Sequence, residues 1–334
     1  MKSLSKITVA AILLAGVSFA GFAADEAKST APDVAKLAAA QMEKVQKDTI
    51  TLKGEDGWLY SKNELQHLAA GPLADGKIKE HSKSTKKENA DPIPAMVAFH
   101  EELKAAGIKL LVVPIPPKAA LQPWAGLKKG DAMLYLTPFY TELKKNGIEV
   151  VDLYSAFAES KVPVYCKQDA HWNPAGIAIA AKKIAEASGL KAGETAFPAK
   201  EEKIKIVGDL MLSLDKNASS SEEITIKKYT GDILSENSPV LLIGDSHTLV
   251  FSSGADMLAE NAGLAETLAA ELKMPIERIG VKGSASTAVR TNLYRKSAKN
   301  AQWLKSKKVV VWCFTCREFT ESTSGWLKVP AFKK

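Results

Sequence analysis

The sequence predicts an α/β fold with a mostly parallel sheet, and three observations carry that reading. A run of apolar β-formers, Val240 to Ile243, stops abruptly at Gly244-Asp245-Ser246. A short continuous apolar segment with glycine at its exit reads as a buried parallel strand. Residues 93–153 alternate helix pattern, glycine and apolar strand, which is how βαβ units look in sequence. A further apolar strand, Val309-Val310-Val311, lies near the end of the chain.

Taken in order, Met1 to Lys6 is basic, residues 7–22 are apolar, and small residues flank Ala23, so residues 1–23 read as a cleaved secretory signal peptide. The apolar run is short for a bilayer span. Residues 24–48 read as a leader followed by a helix whose apolar face is Val34, Leu37, Ala38, Met42 and Val45. The remainder, 49–334, is expected to be one domain. It starts with a short strand at 49–52 and the aromatic segment Gly57-Trp58-Leu59-Tyr60. Residues 76–92 are lysine-rich without apolar periodicity and read as a loop. A helix at 93–106 is stopped by Gly107, strand 109–115 is forced outward by Pro116-Pro117-Lys118, a helix at 133–145 is stopped by Asn146-Gly147, and strand 148–153 follows.

Residues 195–233 differ in character, being charged and carrying a serine run at 219–221, and are expected to be an insertion with short strands. Beyond Ser246, residues 252–261 and 265–273 read as helices, 277–284 as a strand with a glycine-rich exit, and 289–305 as one helix.

Of the 334 residues 46% are apolar and 25% charged, enough for a sizeable core. The formal net charge of +7 is spread over scattered lysines and implies modest attraction to an acidic polysaccharide or a membrane surface. With an export signal, nucleic acid is not an expected partner.

Two stretches carry chemistry. Ser246 follows a strand at the carboxyl edge of the sheet, where α/β folds place ligands, and opens a helical turn whose free N–H groups can stabilise an oxyanion. Asp245 and Ser246 acting only as helix caps is the plainer alternative. The second stretch is Gln168-Asp169-Ala170-His171-Trp172-Asn173-Pro174. A serine nucleophile needs a base and the base needs an orienting carboxylate; His171 and Asp169 supply both from one loop. Asn173 and Pro174 suit the N-cap and first position of a helix over 174–188, which fixes that loop.

Gly-Asp-Ser together with Asp-Ala-His-Trp, Asp56-Gly57-Trp58-Leu59-Tyr60, the strand ending at Lys118, Gly208-Asp209-Leu210, and the last strand followed by Arg317 resembles the SGNH-hydrolase-like alginate O-acetyltransferase family of the bacterial periplasm. The resemblance runs from about Lys53 to Phe319. It implies a three-layer α/β fold, circularly permuted so that the Asp/His loop precedes the serine strand.

It also implies a periplasmic O-acetyltransferase acting on an exopolysaccharide, with Ser246, His171 and Asp169 as catalytic residues and the N–H groups of Ser246 and Gly283 as oxyanion donors. Trp58, Tyr60, Trp172, Arg317 and Thr315 are implied as substrate contacts, Arg317 or Thr315 also as a third oxyanion donor. The implied partners are the polymer, a membrane-bound O-acyltransferase and polymer-export proteins; no metal or cofactor is expected. A periplasmic carbohydrate acetylesterase and a non-catalytic polysaccharide-binding subunit are the alternatives. The permuted arrangement would bring Cys166 near Cys313 and Cys316, so a disulfide from Cys166 to one of these is expected in an oxidising compartment.

Overall fold

Unbroken apolar runs fill the middle of the sheet because both of their faces are covered. The computed structural model describes residues 33–45, 47–73, 77–122, 136–219 and 221–333. The expected signal peptide and leader at 1–31 lie outside the described residues. The chain forms α1 (Val34–Met42), β1 (Thr51–Lys53), β2 (Leu59–Ser61), α2 (Lys62–Ala69), α3 (Lys77–His81), α4 (Pro92–Ala105), β3 (Lys109–Ile115), α5 (Lys118–Leu121) and α6 (Thr137–Lys145). Next come β4 (Glu149–Val150), α7 (Leu153–Glu159), α8 (Pro174–Ser188), β5 (Ala199–Ile206), α9 (Asp209–Leu214) and β6 (Glu222–Tyr229). The last part comprises β7 (Val240–Gly244), α10 (Leu264–Leu272), β8 (Glu277–Gly280), α11 (Ala288–Lys299), α12 (Ala301–Lys305), β9 (Val309–Thr315) and α13 (Glu318–Glu321).

The main sheet has five parallel strands in the order β4-β3-β9-β7-β8. Strands β7 and β9 are buried throughout, and β3 is buried from Leu110 onward. Right-handed crossovers decide where the helices go. The step β7–α10–β8 moves toward one edge and the step β8–α11–β9 moves back, so α10 and α11 cover opposite faces. Helices α7 and α8 share the face of α10. On the other face Phe99 of α4 meets Trp312 of β9 edge-on at 5.6 Å, and the Arg290 guanidinium of α11 lies 4.9 Å from the Trp312 ring centre. The fold is therefore a three-layer α/β arrangement.

Caps set several boundaries, that of α8 by the expected Asn173. Asp91 accepts from the Ile93 N–H at the start of α4, and Asn173 accepts from the N–H groups of Ala175 and Gly176 at the start of α8. Other expectations are corrected. Residues 252–261 form no α-helix, because Ala255, Leu258 and Asn261 have positive φ and break any helical run. The single helix expected at 289–305 divides at Asn300, whose extended backbone ends α11 while its side chain caps α12. The lysine-rich segment contains α3 and a 3-10 turn at Lys87–Asn89, anchored by buried Ile78. Only Glu149 and Val150 of the expected strand 148–153 pair, because Asp152 caps α7. The helix expected from 133 is described from Thr137; 133–135 lie outside the described residues.

Gly244 is where β7 must hand over to Ser246. A Cβ there would sit 2.0 Å from the Cys313 carbonyl oxygen and 2.5 Å from Thr248 Cγ2. No relaxation of a side-chain tip relieves the first contact, since it is backbone of the neighbouring strand. Gly244→Ala is expected to destabilise the fold by at least about 1–3 kcal/mol, seen as a thermal midpoint several degrees lower. An unchanged midpoint would show that the β7–β9 contact is slack.

Candidate active site

Ser246 opens a 3-10 turn directly after β7, and His171 reaches it from the loop before α8. The Ser246 hydroxyl donates to His171 Nε2 at 2.8 Å, and His171 Nδ1–H donates to Asp169 Oδ1 at 2.6 Å. Asp169 and His171 are buried, whereas Ser246 keeps partial exposure. The Asp169 carboxylate also accepts from the N–H groups of His171 (2.9 Å) and Asp209 (2.9 Å). Burial alone would raise the Asp169 carboxyl; the His171 imidazole and those N–H donors outweigh it and hold the group well below the usual carboxylate value. Burial alone would lower His171, but the Asp169 charge and hydrogen bond win and raise it above 6.5.

The loop carrying Asp169 is pinned from several directions. Lys118, fully buried at the start of α5, donates to the carbonyls of Lys167 and Asp169, both at 3.0 Å, with its ammonium 5.3 Å from the Trp58 ring centre. Burial pushes the Lys118 amine down to about 8. Glu222 of β6 accepts from the N–H groups of Lys167 (2.7 Å) and Gln168 (3.1 Å). Asp209 accepts from the Ala170 N–H at 2.7 Å. Gly208 lets the two backbones touch: a Cβ there would lie 2.2 Å from the Gln168 carbonyl oxygen. Asp209 is raised from its ordinary value, first by the protein packed around it and then by the Asp169 charge, although one side stays open to solvent.

On the serine side, Asp245 accepts from the N–H groups of His247 (2.9 Å) and Thr315 (2.8 Å), which locks the turn onto β9. The His247 ring lies 4.6 Å from the His171 ring, and the Trp172 indole N–H donates to the His247 carbonyl at 3.2 Å. Burial drives His247 down to about 4, so it is neutral beside His171 at ordinary pH.

The remaining expected contacts separate. Tyr60 and Trp172 are fully buried, so neither offers a face to a substrate; both are packing groups of the site. Thr315 is buried and spends its N–H on Asp245. Trp58 and Arg317 keep partial exposure. Arg317 lies close enough to act electrostatically on Glu64, His67 and His247. Gly283 follows β8 at a φ of 92°, and the adjoining loop is tied to Glu318, which accepts from the Ser284 hydroxyl and, at 3.1 Å, from the Ser286 N–H.

The expected disulfide is absent. Cys166, Cys313 and Cys316 are buried and none is joined in a disulfide; Cys166 donates to the Trp172 carbonyl at 3.5 Å and Cys316 lies 3.7 Å from the Tyr140 hydroxyl.

Asp169, His171 and Asp209 present donor atoms within 4.8 Å of one another, a spacing a metal ion could use. Both His171 nitrogens are already engaged, with Asp169 and with Ser246, and Asp209 accepts from Ala170. The cluster is thus already satisfied by its own hydrogen bonds.

Lys118, Asp209 and Glu222 were not assigned roles from the sequence. The available signals were a lysine directly after a strand and Pro-Pro, and the Gly-Asp-Leu triplet. Lys118→Met would leave two buried carbonyls without their charged donor, so a loss of about 1.5–3 kcal/mol per bond is the upper expectation. Urea unfolding together with the chemical shift of the His171 ring would register it. Unchanged values for both would remove Lys118 from the support of the loop.

With that geometry in place, comparison with known proteins gives a consistent result. Residues 51–316 match the family model described as "SGNH hydrolase-like domain, acetyltransferase AlgX". A probable alginate O-acetylase AlgJ of Pseudomonas syringae pv. tomato is 26% identical over 144 residues, 42% of this chain and 33% of that protein. A protein of the same name from Pseudomonas fluorescens is 27% identical over 221 residues, 58% of this chain and 52% of that one. The chain thus spans between a third and about half of the length of these relatives. Among solved structures, the O-acetyltransferase domain of Pseudomonas putida AlgJ aligns with a TM-score of 0.60 at 19% identity, covering 81% of this chain and 92% of that domain. Pseudomonas aeruginosa AlgX aligns with a TM-score of 0.57 at 20% identity, covering 85% and 67%. These two likenesses show a shared fold, and the family match spans most of the chain and includes both the Asp169–His171 loop and Ser246. The chain belongs to the AlgX acetyltransferase family of SGNH hydrolase-like domains.

Proposed function

We propose that the protein is an exported O-acetyltransferase that places acetyl groups on hydroxyls of an exopolysaccharide through an acetyl-Ser246 intermediate. The observation that carries this reading is the continuous Ser246–His171–Asp169 hydrogen-bond chain, 2.8 and 2.6 Å, ending on a partly exposed serine. The relatives named as alginate O-acetylases support an acidic polymer as acceptor. Export through residues 1–23, a periplasmic site of action, and work beside a membrane-bound O-acyltransferase and polymer-export proteins belong to the same proposal. Among the described residues no helix is long and apolar enough to cross a membrane.

In the first half-reaction Ser246 Oγ attacks the acetyl carbonyl carbon while His171 Nε2 takes the hydroxyl proton. The tetrahedral oxyanion is held by the N–H groups of Ser246 and Gly283. Its collapse breaks the bond to the leaving group, which receives the proton from His171. In the second half an acceptor hydroxyl gives its proton to Nε2, attacks acetyl-Ser246, and leaves as the acetyl ester with Ser246 regenerated. Asp169 fixes the tautomer and steadies the imidazolium. The order of the chain, with the Asp/His loop on an early segment and the serine on a late strand, fits a circularly permuted version of the hydrolase sheet.

Ser246→Ala is expected to abolish release of acetyl from a chromogenic ester and its transfer to unacetylated oligouronates, read by mass additions of one acetyl. Full activity in a folded variant would end the serine mechanism. If oligosaccharides only ever lost acetyl groups, the protein would be an esterase.

The base must be neutral to act. Because Asp169 raises His171 above 6.5, the acid limb of kcat/KM should lie above 6.5. Asp169→Asn should lower kcat by roughly 10³–10⁴-fold and move that limb downward. A limb that stays in place would mean that another group is the base.

A further inference from the structure

We propose that Glu318 is a positioning residue for acyl transfer: it sets the place of the Gly283 N–H, the second oxyanion donor. The inference rests on the acetyl-serine reading above and names what holds that donor still. Gly283 has little of its own to hold it. It is exposed, its φ is 92°, and a Cβ there would meet no atom within 4 Å. Among the described residues its N–H donates to no other group, so it is open to a ligand oxygen. Its position is therefore fixed by the residues on either side.

On the amino side the tie is to the serine strand. The Val281 N–H donates to the Gly244 carbonyl at 3.0 Å, two residues before Ser246. On the carboxyl side the tie is to Glu318, at the start of α13. A single carboxylate oxygen, Glu318 Oε2, accepts from the Ser284 hydroxyl and from the Ser286 N–H, the latter at 3.1 Å. Two carbonyls of the same turn are held as well. The Trp312 indole N–H donates to Ala285 at 3.2 Å, and Arg290 Nε and Nη2 donate to Ser286 at 2.8 and 2.7 Å. Of these three side chains, Glu318 alone reaches Ser284, the neighbour of Gly283. Glu318 also stands three residues after Thr315, whose N–H donates to Asp245 at 2.8 Å. The end of β9 thus carries one tie to the residue before Ser246 and one to the residue after Gly283, so a single short segment sets the spacing of the two donors. Glu318 is buried, and a buried carboxylate is costly unless it is hydrogen-bonded. Burial holds it above its ordinary value, against the Ser284 hydroxyl. An apolar side chain would fill that space without the cost, but would leave the buried Ser286 N–H without its acceptor.

Kinetics of the full-length protein on a chromogenic acetyl ester separate this role from a structural one. Glu318→Ala should lower kcat by about tenfold to 10²-fold, at most the loss of a whole oxyanion donor. KM should stay where it is, because the oxyanion develops only in the transition state. Glu318→Gln keeps an oxygen for the same two donors and should recover most of that loss. Ser284→Ala removes one of the two bonds and should fall between; its side chain is partly exposed, so it gives the reading if Glu318→Ala does not fold. In NMR spectra the Gly283 amide signal should move in Glu318→Ala and Ser284→Ala, while the His171 ring signal stays in place. An unchanged kcat in a folded Glu318→Ala or Ser284→Ala, or a fall accompanied by a displaced His171 signal, would overturn the positioning role. If that happens while Ser246→Ala is inactive, the positioning role alone fails. Activity retained in Ser246→Ala would end the serine mechanism and this role with it.

Discussion

The hydrogen bond from Ser246 to His171 joins two parts of the chain 75 residues apart, and the remaining architecture serves to keep them in reach. One side is rigid by construction. Strand β7 lies between β9 and β8, and Asp245 ties the turn after it to Thr315 at the end of β9. The other side is a loop, and loops do not hold a base to a fraction of an ångström unaided. Here the loop backbone is held by three charged side chains from three elements: Lys118 on its carbonyls, Glu222 and Asp209 on its N–H groups. A misplacement of about 1 Å at such a site can cost 10²-fold in rate, which gives this bracing a functional reason.

The charges within the bracing also set the protonation of the site. Two Asp–His pairs lie side by side, Asp169–His171 and Asp245–His247, with their rings 4.6 Å apart. In the first, a 2.6 Å bond to a carboxylate below its ordinary pKa raises the imidazole. In the second, the Asp245 carboxylate is spent on backbone N–H groups, and the His247 Nδ1 lies 3.3 Å from it without forming a hydrogen bond. At His247 burial outweighs the nearby Asp245 charge and drives the ring down to about 4. Positive charge is therefore favoured on one ring only, the ring that faces Ser246. The same pair links pH to stability. The raised His171 adds stability that is complete below about pH 6.5 and fades as the pH climbs through its folded value. The lowered Asp169 adds stability above its ordinary value of 3.8, lost as the pH falls toward its folded value.

What the sequence made legible follows from what is local. The strands at 109–115, 240–244 and 309–315 announce themselves because buried parallel strands need unbroken apolar runs, and α8 because Asn173-Pro174 and Gly189 mark its ends. Ser246, His171 and Asp169 were visible as candidates because the serine sits at a strand exit and the histidine shares a loop with the carboxylate. The support of the loop was not legible as such: Lys118 and Asp209 stood in recognisable segments but their partners lie far off in sequence, and Glu222 carries no local signal. Residues 252–261 misled because their composition suits a helix while tertiary packing imposes left-handed backbone at Ala255, Leu258 and Asn261. The cysteines misled for a related reason: sharing one edge of a sheet does not bring sulfurs together, and each thiol is buried in its own packing.

The same burial bears on the choice between sugar and water. Asp169, His171, Asp245 and His247 are all covered, and Ser246 is the part of the site that meets solvent. Nothing in the Ser246–His171–Asp169 arrangement distinguishes a sugar hydroxyl from water, since either could give its proton to the same Nε2. On the proposed acetyl-serine mechanism, selection must then come from residence: an acceptor held next to Ser246 gains an effective concentration that free water lacks. Tyr60 and Trp172, being buried, cannot provide that hold, whereas Trp58 and Arg317 retain exposed surface near the catalytic loop and the serine turn. Under the proposed mechanism, fidelity of transfer would be a property of the site's rim, because the hydrogen-bonded chain of Ser246, His171 and Asp169 would serve both outcomes equally.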